Sequence, residues 1–215
     1  ITPLFNGSMW KAADDQLLLE TGGRYQLCDL NGSLTDVSIP HAGHVLAVDD
    51  QGYVLCQYPV TRTVRTDSDT MPYTFHQYTL LGSDFSVLLD NIDEYYNVGQ
   101  YDYSGDSELF YNDLVAVRVG ATDWYLPDGG PWPRLYFNSK YMFIDRSGKT
   151  VSSRRYDEVS HENDRWFGCH GTTEYLLDSN GNEREQANYC YVPSTWAENI
   201  VEQAEKDGLR LSYHT

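Results

Sequence analysis

A short phrase recurs along the chain, in which an apolar or alternating run enters Asp, passes two residues and reaches Gly. It reads Tyr25-Gln-Leu-Cys-Asp29-Leu-Asn-Gly32, Tyr141-Met-Phe-Ile-Asp145-Arg-Ser-Gly148 and Tyr175-Leu-Leu-Asp178-Ser-Asn-Gly181, with Val45-Leu-Ala-Val-Asp49-Asp-Gln-Gly52 as a variant. Each predicts a strand that ends in a tight turn, because Asp accepts from backbone N–H groups two or more residues on and Gly takes the positive φ that closes the turn. The residues after each Gly, namely 34–39, 53–58, 150–151 and those beyond Glu183, are expected to return as hairpin partners. Further strands are predicted at Gln16–Glu20, Tyr73–Leu81, Phe85–Leu89 and Leu114–Val119, for about sixteen in all.

Helix periodicity is scarce until the tail. There Ser194 or Thr195 can cap and Gly208 can stop a helix whose Trp196, Ile200, Val201 and Ala204 share one face. The spacing between turns is irregular, with insertions near 60–72 and 120–135. The expected fold is therefore all-β, a propeller-like or solenoidal array of about four or five short antiparallel hairpin units finished by one C-terminal α-helix. Residues 1–192 are read as a single repeat domain and 193–215 as a helix and tail packed on it.

One stretch is specific enough to carry a family resemblance. Tyr141-Met-Phe-Ile-Asp-Arg-Ser-Gly-Lys-Thr-Val151, followed by Arg155-Tyr-Asp-Glu-Val159, resembles the bacterial WG repeat through Phe143, Ile144, Asp145, Gly148, Lys149, Val151, Tyr156 and Asp157. Tyr141-Met142 stands where that repeat has Trp-Gly, and the copies at 25–39 and 172–192 keep little beyond the Asp-x-x-Gly turn. The resemblance implies an all-β repeat protein with an accessory or interaction role, and it brings no catalytic residues to carry over.

Composition narrows the partners. Fifteen basic against 32 acidic residues give a formal charge of -17, which repels phosphate backbones and disfavours nucleic acid. No run of eighteen apolar residues suits a transmembrane helix. The chain begins at Ile1 without a basic-then-apolar leader, which is read as a targeting segment removed or an end trimmed. Eighteen Tyr and five Trp suit an extracellular or cell-surface binding protein. Cys28, Cys56, Cys169 and Cys190 lack metal-ligand spacing, and Cys28 and Cys56 are read as two small buried thiols, although their matching places in similar strands would allow a bridge.

Candidate chemistry concentrates in Ala121-Thr-Asp-Trp124-Tyr125-Leu-Pro-Asp-Gly-Gly-Pro-Trp132-Pro-Arg134, read as an irregular loop. Trp124, Tyr125 and Trp132 could stack on sugar faces while Asp123 and Asp128 accept hydroxyl hydrogen bonds; alternatively the rings plug down onto a neighbouring sheet. His41-Ala-Gly-His44 and Cys169-His170 have no partner at metal spacing, so no metal or cofactor is expected. Acidic pairs such as Asp93-Glu94 are plentiful but unselective. The functional expectation is a non-catalytic binding module for a protein or glycan, with a glycan-active, glycoside-hydrolase-like enzyme as the alternative.

Overall fold

The computed structural model describes residues 7–13, 15–96, 109–127 and 135–189. Sixteen strands run through them: β1 (Ser8–Ala13), β2 (Gln16–Thr21), β3 (Arg24–Asp29), β4 (Leu34–Val37), β5 (His44–Val48), β6 (Val54–Arg65), β7 (Thr70–Leu81), β8 (Val87–Tyr95), β9 (Leu114–Val119), β10 (Trp124–Tyr125), β11 (Tyr136–Phe137), β12 (Tyr141–Asp145), β13 (Glu158–Glu162), β14 (Arg165–His170), β15 (Thr173–Leu177) and β16 (Glu183–Tyr189). A short 3-10 turn at Pro40–Ala42 joins β4 to β5.

All four Asp-x-x-Gly phrases form the same turn. In each the Gly N–H donates to the Asp carbonyl at 2.9–3.1 Å, and the Asp N–H donates to the carbonyl of the residue after Gly. The Asp Oδ1 then accepts from the residue two on and the residue four on, as at Asp29 from Asn31 and Ser33 and at Asp145 from Ser147 and Lys149. At 150–151 the expected return strand shrinks to a single bridge between Ile144 and Thr150.

The all-β expectation holds, but a propeller-like or solenoidal array of equal units does not. The strands form three sheets, ordered β1-β2-β3-β4, β11-β10-β6-β7-β8-β9-β12 with β5 also on β6, and β13-β14-β15-β16. None closes on itself. The reason is long-range pairing that local repeats do not announce. Strands β6 and β7 pair over twelve consecutive positions, so residues read as an insertion near 60–72 extend a hairpin instead. Strands β9 and β12 then add to β8, gathering eight strands into one sheet. The predicted C-terminal helix falls on 193–215, outside the described residues.

Three apolar clusters hold the sheets. Leu55, Leu80, Ile92, Val115, Val117, Met142 and Ile144 pack on one face of the central sheet. Side chains alternate along a strand, so Val54, Cys56 and Leu81 project from the opposite face, where they meet Ala12, Leu18 and Tyr25 of the first sheet. On that opposite face Leu114, Ala116 and Phe143 meet Val159, Trp166 and Leu177 of the third sheet. Arg146 ties two turns of the central sheet together, bonding Asp49 at 2.8 Å and Asp113 at 2.7 Å.

Candidate functional site

Between the two flanking sheets, the central sheet carries a strip of polar groups. Phe75, Gln77 and Thr79 alternate along β7 with Tyr78 and Leu80, which pack in the first cluster, so this trio points to the other face. Gln77 is 4 % exposed and Thr79 is fully buried, and polar groups so placed must find partners or lose free energy. Two aspartates of β8 supply them. Thr79 Oγ1 donates to Asp90 at 2.6 Å, and Gln77 Nε2 donates to Asp93 at 2.8 Å.

The two carboxylates are tuned in opposite directions. Asp93 is buried without an ion-pair partner among the described residues, and desolvation pushes its pKa up even though it accepts from the Ala121 N–H, Gln77 and Ser139 and feels the Arg62 charge. Asp90 is burdened by partial burial too, but Thr79, His41 and Asn91 together hold its carboxyl below the usual range. His41 reaches Asp90 through Nε2 at 2.9 Å while its ring stacks on Tyr58 with centroids 4.2 Å apart. To do so it sits at φ 57 in the 3-10 turn, followed by Ala42 at φ 49, and Asn91 opposite has φ 53. Three side-chain-bearing residues in left-handed backbone at one place is a concentration of strain.

The 121–127 segment covers the far end of this strip. It is not irregular throughout, because Trp124 and Tyr125 form β10, which pairs antiparallel with β11 and in parallel with β6 at Arg65. Asp123 is committed to the chain itself, accepting two bonds from Arg65 at 2.9 and 2.6 Å, and Tyr125 donates its hydroxyl to Asp67. Those two residues brace β10 against the β6–β7 hairpin. Trp124 is half-buried against Phe75 at 6.2 Å, with Arg62 above its ring at 5.9 Å. Among the described residues its Nε1 donor has no partner, and neither has the Oε1 acceptor of Gln77, two residues along the same face from Phe75. Asp128 and Trp132 lie outside the described residues.

Sequence reasoning therefore singled out Asp123, Trp124 and Tyr125, which the structure brings together at β10, and missed the strip they cover. The available signal was Gln77 and Thr79 at core-facing positions of an otherwise apolar alternation. Cys28 and Cys56 are free thiols, as read, Cys56 fully buried and Cys28 half-buried, whereas Cys169 is disulfide-bonded. No protein-family model, curated protein or solved structure matches the chain.

Proposed function

We propose that this protein is a non-catalytic binding module, working outside the cell or on its surface, whose contact surface is the Trp124 edge and the polar strip beside it. The observation that carries this reading is a pair of complementary unpaired groups, the Trp124 Nε1–H and the Gln77 Oε1, on one face next to an aromatic floor. Both atoms are covered by the protein in the unbound chain, so a ligand bearing a donor and an acceptor recovers their cost by displacing the side chains that cover them. A protein or a glycan presents such groups. The disulfide at Cys169 supports an oxidising compartment. The resemblance of 141–159 to the WG repeat supports an accessory role and a distant kinship with that family.

The alternative, a glycan-active enzyme, needs two carboxyls free to face a scissile bond. Asp90 and Asp93 each accept from three groups of the protein itself, which favours the non-catalytic reading. The deciding experiment is binding of the intact chain to a broad glycan array and to candidate surface proteins, with Trp124→Phe alongside. That substitution keeps a six-membered ring against Phe75 while deleting the donor and the pyrrole part of the indole. The expected result is a loss of affinity of about tenfold, near 1.4 kcal/mol, with the melting temperature almost unchanged. Undiminished binding by Trp124→Phe would remove the strip from the contact surface, and a blank array with a protein hit would assign the ligand class.

A further inference from the structure

A second site lies away from the Trp124 edge, behind the turn that carries His41. Where the first sheet meets β5, a cavity of about 390 Å³ opens between the ends of β3 and β4 and the turn into β5, with Arg24, Tyr25, Asp36, Ser38, Gly43 and His44 in its lining. Its volume is in the range of small-molecule sites.

Arg24 is the decisive group. The chain has 32 acidic residues for 15 basic ones, and Arg65, Arg118, Arg146 and Arg154 each hold a carboxylate. The Arg24 side chain makes no hydrogen bond, ion pair or ring contact among the described residues, although carboxylates are abundant. Ser38 and the His44 ring have no side-chain partner there either. Asp36 accepts from Gln26 Nε2 through Oδ1 at 2.7 Å, and no described residue bonds its second oxygen. The Tyr25 hydroxyl accepts from the Val45 N–H at 3.1 Å, and burial raises its pKa, so it retains a proton to donate. One wall is stiff: His41 and Ala42 are both left-handed, and a Cβ on Gly43 would lie 2.9 Å from the Gln57 carbonyl oxygen.

A planar guanidinium matches a carboxylate with two parallel bonds. The groups around it, a hydroxyl, an imidazole, a phenol and one carboxylate oxygen, match hydroxyls that both donate and accept. Asp36 in the same lining disfavours a doubly charged phosphate, whereas a single carboxylate set among hydroxyls tolerates it. We propose that this cavity binds a carboxylate-bearing sugar, a uronic acid, with its carboxylate on Arg24 and its hydroxyls shared among Ser38, His44 and Asp36. The Trp124 edge contributes no residue to this lining, and Trp124→Phe leaves the cavity unchanged.

The test is a titration of the intact chain with D-glucuronate, followed through the backbone amide signals of Gly23, Ser38, Gly43 and His44, with D-glucose and acetate as parallel probes. A single sugar is expected to saturate these signals with a dissociation constant of about 1 mM, while glucose and acetate bind at least about tenfold more weakly. Arg24→Gln, at an exposed and unpaired position, is expected to weaken glucuronate about tenfold or more with the rest of the spectrum preserved, and Arg165→Gln, at an exposed position on β14, is expected to change nothing. Absence of saturable shifts with glucuronate overturns the proposal. So does equal binding of acetate, or indifference to Arg24→Gln.

Discussion

Asp93 is a carboxyl that the fold holds in a dry place, bonded by neutral donors, with the Arg62 charge acting on it and no ion-pair partner among the described residues. Its folded pKa is raised above the unfolded value of about 3.9, so it favours the folded state below that pH, and the contribution is lost as pH rises through the folded pKa. Asp93→Asn cannot ionise and lacks that loss. The stability of the wild type minus that of Asp93→Asn, measured by urea unfolding, is therefore expected to fall between pH 3.5 and pH 7, a difference in which the other carboxylates cancel. A difference that stays flat or rises would mean that the donors from Gln77, Ala121 and Ser139 dominate desolvation. Nothing local in the sequence marks Asp93 apart from other aspartates. Its environment is assembled from residues 16, 28 and 46 positions away. Trp124 was legible because a Trp beside Asp and Tyr in a Pro-rich stretch is unusual by itself, whereas Gln77 becomes telling only once β7 is known to bury that face.

At the scale of elements, the four Asp-x-x-Gly turns were legible because all their bonds lie within five residues. The turn is tolerant in one respect: between Gly82 and Ser86, Phe85 takes the left-handed place at φ 62, with its N–H bonded to the Gly82 carbonyl at 2.9 Å. What separates the copies is their surroundings. Gly32 at φ +81 has open space where a Cβ would go, while Gly52 at φ +84 faces the carbonyl oxygen of Ala12 on β1 at overlapping distance. Gly32→Ala is expected to cost about 1–2 kcal/mol for the backbone alone. Gly52→Ala adds a clash that moves β1 or the turn, for about 2–5 kcal/mol in total. Equal losses in chemical denaturation would show that β1 shifts freely. Strand pairing was less legible, since the partners of β8 and β9 on the sheet depend on which hydrophobic faces meet, not on any turn.

For the whole molecule, recurring turns suggested equal units stacked in series, but one sheet of eight strands contributes to all three apolar clusters. The repeat in the sequence is thus a repeat of turns and not of separately packed units. Cys56 sits in the seam between the first and central sheets with no exposed surface, and burial pushes its thiol up to about 12. At pH 8 roughly one such thiol in ten thousand is ionised, and no reagent can reach it while the seam is shut. Half-buried Cys28, on the face of the first sheet turned away from the seam, is expected to react first with an aromatic disulfide reagent, and Cys56 only after a lag. If the lag shortens in Gly52→Ala in proportion to its loss of stability, labelling follows parting of the sheets; equal reaction of both thiols would mean the seam gapes continually. The buried sulfur thereby serves as a clock, ticking once for each time the first sheet lifts away.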